Sequence, residues 1–145
     1  MVNNKLYLAA SLDNDKRENI KRAKEILANK GFDVYVPMEH TLEHSWDWLN
    51  NEWGLQVFRN DVEAIKASRI VVVLNYGRSE TTSGTTLEQG LAYAFGKLVI
   101  LVEMTDNVQS LMVANARYAT VSGLEGLKAY DFEAMPRTRS NVEQK

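Results

Sequence analysis

The sequence predicts an α/β fold: an open, doubly wound sheet of five parallel strands with helices on both faces. Three observations predict it. Strand-like and helix-like patterns alternate about five times along the chain, which is the mark of successive βαβ units. The run Ile70-Val71-Val72-Val73-Leu74 is unbroken and mostly β-branched, as a parallel strand buried on both faces requires. After it comes Thr81-Thr82-Ser83-Gly84-Thr85-Thr86-Leu87-Glu88-Gln89-Gly90, a polar, glycine-containing stretch that leads into a helical segment.

The elements follow in order. Lys5 to Ala10 is a short, mostly apolar run and reads as strand 1; Tyr7 inside it suits strand packing. Residues 15 to 30 carry Ile20, Ala23, Ile26 and Leu27 on one helical stripe. Asp15-x-x-Glu18 is placed to cap that helix, and Gly31 to end it. Its basic residues, Lys16, Arg17, Lys21, Arg22 and Lys24, are interspersed with acids and read as a solvated face. Asp33 to Val36 is strand 2, stopped by Pro37. Gln56 to Ser68 is a helix with an inner stripe of Val57, Phe58, Val62 and Ile65. Asp61 lies four residues from both Val57 and Ile65, at the edge of that stripe. A carboxylate there needs a partner; it either bonds a neighbouring loop or belongs to a site. Ile70 to Leu74 is strand 3. Leu91 to Phe95 continues the next helix, Gly96 ends it, and Leu98 to Val102 is strand 4. Residues 107 to 116 read as helical, Tyr118 to Val121 as a fifth strand, and Leu124 to Tyr130 as a last helix. A polar tail broken by Pro136 follows.

The chain has 145 residues, 45% hydrophobic and 25% charged. That suits one domain, residues 1–145, around a single core. A net charge of −2 gives no basic footprint for nucleic acid. Without cysteine there are no disulfides, thiolate nucleophiles or Cys-ligated metals, which fits a cytoplasmic protein. The apolar run at the N-terminus is too short for a signal peptide, and no run reaches transmembrane length.

For five strands the expected order is the flavodoxin-like 2-1-3-4-5. Ligands of such sheets bind beyond the carboxyl ends of the strands, at the switch between strands 1 and 3. Ser11, after strand 1, meets the loop from Asn75 to Gly84 there. No G-x-G-x-x-G follows strand 1, and no G-x-x-x-x-G-K occurs, which argues against dinucleotides and nucleoside triphosphates. Gly84 lets a ligand approach the backbone. Glu88 has two readings: a capping-box partner of Thr85, or a carboxylate kept ionised near a helix N-terminus for use as a nucleophile. The three tryptophans, Trp46, Trp48 and Trp53, are core residues or a wall on which a base stacks. His40-Thr41-Leu42-Glu43-His44 matches the inverted zinc-protease pattern, but the chain holds no further histidine as third ligand, so no metal is expected.

An ordered set of segments resembles the nucleoside 2-deoxyribosyltransferases. It comprises Lys5-Leu6-Tyr7-Leu8-Ala9-Ala10-Ser11, Asn60-Asp61 followed by Ile65, and Ser83-Gly84-Thr85-Thr86-Leu87-Glu88-Gln89-Gly90-Leu91-Ala92. Gly96-Lys97, Leu111-Met112, Tyr130-Asp131-Phe132 and Met135-Pro136 complete it. The resemblance implies that Glu88 is a nucleophile attacking C1′ of a 2′-deoxynucleoside, that Tyr7 orients it, and that Asp61 manages the proton of the leaving base. The loop after Pro37 would wall the base. Ser110 and Met112 would reach a neighbouring subunit's pocket near the 5′ end of the sugar, so self-association would complete the site. No cofactor is implied. Substrates would be 2′-deoxynucleosides and free nucleobases, as in nucleotide salvage.

Two positions depart from the transferase pattern. Thr82 stands where an Asp usually bonds the base, and Ser110 where Asn is frequent. Hydroxyls at both places resemble a sister branch, the 2′-deoxynucleoside 5′-monophosphate N-glycosidases, where such groups hold phosphate, and Arg78 is placed to assist. Ser11-Leu12-Asp13, however, lacks the basic residue usual in that branch. The expectation is therefore a transferase.

Overall fold

A computed structural model describes residues 3–37 and 50–145. The strands are β1 (Lys5–Ala9), β2 (Asp33–Tyr35), β3 (Ile70–Asn75), β4 (Leu98–Glu103) and β5 (Ala119–Ser122). The helices are α1 (Arg17–Asn29), α2 (Asn50–Ala67), α3 (Ser83–Ala94), α4 (Leu111–Asn115) and α5 (Gly123–Ala129). The strands form one sheet in the order β2-β1-β3-β4-β5, and every pairing is parallel. This is the predicted fold.

The period-two alternation of the strands sorts the core into two layers. Leu6, Leu8, Val72, Leu74, Ile100 and Val102 share one face with Ile20, Ala23 and Leu27 of α1 and Leu124 and Leu127 of α5. Tyr7, Ala9, Val71, Val73, Val99 and Leu101 share the other with Ile65 of α2 and Ala92 of α3. Tyr7 is therefore fixed on the α2–α3 side by its place in the strand. β3, flanked by β1 and β4, is buried along its whole length, as its unbroken apolar run requires.

Several local expectations change. A 3-10 turn, Asn14–Lys16, precedes α1, so Asp15 does not cap the helix; Lys16 takes the cap position without a side-chain bond. Helix α2 starts at Asn50 rather than 56. Phe58 on its expected inner stripe is 51% exposed. The apolar cover thins toward that end, where Val57 is only half-buried while Ile65 is fully buried.

The helix expected over 107–116 is only Leu111–Asn115, because the residues before it are held otherwise. Asn107 Nδ2 donates to the Tyr76 carbonyl at 3.1 Å, and Gln109 pairs with the C-terminal segment. The polar tail is accordingly tied down. Tyr118 Oη donates to the Met135 carbonyl at 2.7 Å, and Tyr130 Oη to the Pro136 carbonyl at 2.8 Å. The Gln109 and Leu111 N–H groups donate to the Glu143 and Lys145 carbonyls at 3.0 and 3.1 Å. Those two bonds flank Ser110. No helix among the described residues is long and apolar enough to cross a membrane.

Candidate active site

The carboxyl ends of β1 and β3 carry the two loops that meet at the mouth of the sheet. The Thr82 N–H donates to Ser11 Oγ at 3.0 Å, and Ser11 Oγ–H points back to Thr82 Oγ1 at 3.4 Å. Thr82 is the N-cap of α3, its Oγ1 accepting from the Thr85 N–H at 3.4 Å. The capping box expected between Thr85 and Glu88 therefore does not form. With Thr82 as cap, Glu88 falls in the second turn of α3. Its side chain lies on the same face as the buried Thr85 and Ala92 and is turned toward the sheet.

There Glu88 Oε2 accepts a short hydrogen bond from Tyr7 Oη. Tyr35 stands directly opposite Tyr7 in the parallel register. The two rings stack with centroids 5.3 Å apart at 18°. Tyr35 Oη donates to Asp61 Oδ1 on α2 at 3.0 Å. Residues far apart in the chain thus form one cluster of two tyrosine–carboxylate pairs under α2 and α3.

The electrostatics of the cluster differ from the expectation of a carboxylate held ionised by a helix end. Burial, reinforced by the negative charge of Asp61, pushes Glu88 from 4.5 up to about 7; the Tyr7 hydrogen bond opposes them and does not win. Desolvation dominates because Glu88 sits a turn inside α3, away from the unpaired N–H groups of its first turn. Both tyrosines are raised, first by burial and then by the adjacent carboxylates, Glu88 for Tyr7 and Asp61 for Tyr35. They remain neutral donors at any working pH.

A cavity of about 370 Å³ opens beside the first turn of α3. Gly77, Arg78, Thr81, Ser83, Thr86 and Ser110 line it. Ser110 precedes α4 and turns into this cavity, while Met112 on α4 faces outward and is 76% exposed. Gly84, in the first turn of α3, is exposed with open space above its Cα.

The structure thus joins Tyr7, Asp61 and Glu88, bonds Ser11 to Thr82, and sets Ser110 at the neighbouring cavity. Met112 joins neither group. Trp53 is 43% exposed on α2; Trp46, Trp48 and the His40–His44 motif lie outside the described residues. Two residues escaped the sequence reading. Tyr35 was detectable as the aromatic that a parallel register sets beside Tyr7. Lys16, read as part of a solvated face, is only 6% exposed. It lies 3.4 Å from both Asp13 and Glu80 and 5.1 Å from the centre of the Tyr76 ring, so it bridges the two loops of the mouth. An isolated lysine among acids carries no sequence signal for that.

The profile of the nucleoside 2-deoxyribosyltransferases matches residues 6–133. The chain belongs to the nucleoside 2-deoxyribosyltransferase family. Among solved structures, a 2-deoxyribosyltransferase from Bacillus psychrosaccharolyticus superposes with a TM-score of 0.82 at 27% identity, over 94% of this chain and 98% of that one. A CMP N-glycosidase from Clostridium botulinum shares the fold at a TM-score of 0.60 and 18% identity, over 87% and 99% of the two chains. A 2-deoxyribosyltransferase from Leishmania mexicana does so at 0.52 and 14%, over 88% and 79%. No curated protein matches the sequence. The family is enzymatic, with deoxyribosyltransferase and N-glycosidase branches.

Proposed function

We propose that the protein transfers 2-deoxyribose between nucleobases through a covalent deoxyribosyl ester on Glu88. The observation that carries the reading is the Tyr7–Glu88 hydrogen bond. It holds a half-buried carboxylate oxygen in a fixed direction, which is what attack on a sugar carbon needs. The transition state resembles an oxocarbenium ion, which the adjacent negative charge stabilises. The missing 2′-OH makes that ion easier to form. Asp61 manages the proton of the departing base, and a second base attacks the ester from the same face, so configuration is retained. Neither a metal nor an organic cofactor enters these steps. With Glu88 titrating near 7, a large share of the molecules hold the ionised nucleophile at neutral pH.

In this reading Ser11, Thr82 and Gly84 border the substrate, and Ser110 and Met112 act at the pocket of a neighbouring subunit. The exposure of Leu87, Leu111 and Met112 on α3 and α4 supports such self-association. A role in cytoplasmic nucleotide salvage follows from the proposed substrates.

A second reading, hydrolysis of 2′-deoxynucleoside 5′-monophosphates by the same nucleophile, is favoured by the neighbouring cavity. Arg78 and the hydroxyls of Thr81, Ser83, Thr86 and Ser110 line it, a donor set that suits a phosphate. Incubation with thymidine and adenine separates the two. Deoxyadenosine as product supports transfer; free thymine from thymidine monophosphate alone supports hydrolysis. Binding of either substrate without turnover would refute both and leave a nucleotide-binding module. Glu88→Ala is expected to abolish turnover with the fold intact, and near-native turnover by that variant refutes the nucleophile.

A further inference from the structure

The site contains two tyrosine–carboxylate pairs, and the proposed reaction gives a role to only one of the tyrosines. Tyr7 donates to Glu88 and Tyr35 donates to Asp61. The parallel register pairs the two tyrosines across β1 and β2, and their rings lie nearly face to face. Each hydroxyl is thereby aimed at a different carboxyl group on a different helix.

We propose that Tyr35 is a positioning residue of the transfer reaction, holding the negative charge on Asp61 once the base has left, as Tyr7 holds it on Glu88 beforehand. The inference rests on the reading of Glu88 as nucleophile and Asp61 as proton carrier. In the first half-reaction an ionised Glu88 oxygen bonds to C1′. The C1′–N bond breaks, and its electron pair stays on the base nitrogen. The base takes a proton from the Asp61 carboxyl group, which is left ionised. In the second half-reaction the acceptor base gives its N–H proton to Asp61 and its nitrogen bonds to C1′. The electron pair of the ester bond then returns to Glu88. In the reactive form, with Glu88 ionised and the proton on Asp61, the cluster carries one negative charge throughout, which moves from Glu88 to Asp61 and back.

Two ionised carboxylates in one half-buried cluster repel each other, and Asp61 is a source of the raised pKa of Glu88. A single mobile charge avoids that repulsion. It also requires a hydrogen-bond donor at each end of the transfer, because an ion in a poorly solvated place is costly without one. Tyr7 meets that need at one end and Tyr35 at the other. Burial and the adjacent charges keep both hydroxyls protonated, so neither donor is lost during the cycle.

The alternative is that Tyr35 only ties α2 to the edge of the sheet. In that case its hydroxyl matters equally for every substrate. On the charge-transfer reading it matters only when Asp61 must give up a proton. Base release in the first turnover is measured by rapid quench with 2′-deoxyguanosine and with 7-methyl-2′-deoxyguanosine, each also as the 5′-monophosphate. The methylated purine carries a fixed positive charge and departs without taking up a proton. Tyr35→Phe keeps the ring stack and removes the hydroxyl. The expected loss is about 10- to 100-fold on the unmethylated substrate, the range for a hydrogen bond to a charged group, and under about threefold on the methylated one. Equal losses on both substrates, or no loss on either, overturn the inference. Base release by wild type from none of the four substrates, or undiminished release by Glu88→Ala, overturns the proposed function instead.

Discussion

Replacing Glu88 by Gln is expected to stabilise the protein at alkaline pH while abolishing transfer. The folded state raises this carboxyl group from 4.5 to about 7, chiefly by burial. The sign follows from proton linkage. Between those two values the folded protein binds more protons than the unfolded chain, so stability falls as pH rises. Below about pH 4.5 the side chain is neutral in both states and contributes no penalty. Above about pH 8 it is ionised in both, and the fold carries the full desolvation cost. A displacement from 4.5 to about 7 corresponds to about 3 kcal/mol. Glutamine keeps an acceptor for the Tyr7 hydroxyl and carries no charge, so it escapes that cost. The stability gained by Glu88→Gln should be near zero at pH 4.5, grow across the next two to three pH units, and level off at about 3 kcal/mol, or about 10 °C in Tm. Urea unfolding of both proteins across this pH range measures it. A gain independent of pH would point to packing in place of charge. A variant less stable than wild type at pH 8 would refute the argument that burial outweighs the Tyr7 hydrogen bond.

Three further outcomes follow from the same geometry. Asp61→Asn removes a negative charge that raises Glu88, so the Glu88 carboxyl, followed by NMR in selectively labelled protein, should titrate below about 7. Thr82→Ala removes the side-chain cap of α3 and the hydroxyl that accepts from Ser11 Oγ, while the backbone N–H bond to Ser11 stays; denaturant unfolding should show a loss of about 1 kcal/mol that Thr82→Ser largely restores. Gly77 has φ +95°, and a Cβ there would lie 2.5 Å from Asn107 Cβ; Gly77→Ala should lower stability by more than about 1 kcal/mol in the same measurement.

The sequence by itself determined the sheet. Strand 3 could only be a strand buried on both faces, because Ile70 to Leu74 has no polar residue to turn toward water. Alternation of such runs with helical stripes gave the five-stranded order that the structure shows. The motif around Glu88 was legible because a strand, a polar loop and a helix follow one another without interruption.

Tertiary structure decided what the side chains of that motif do. Thr85-x-x-Glu88 fits a capping box locally, yet the bond between Ser11 and Thr82, from loops 71 residues apart in the chain, starts the helix at Thr82 and moves Glu88 one turn further in. That displacement replaces the field of a helix end by burial, so the carboxyl is raised where sequence alone suggested it would be held ionised. Lys16 was illegible for the same reason, and Tyr35 was legible only as the strand neighbour of Tyr7, not as the partner of Asp61. Their partners come from other elements, and a side chain's partner and solvation are properties of the packed fold that no local pattern encodes.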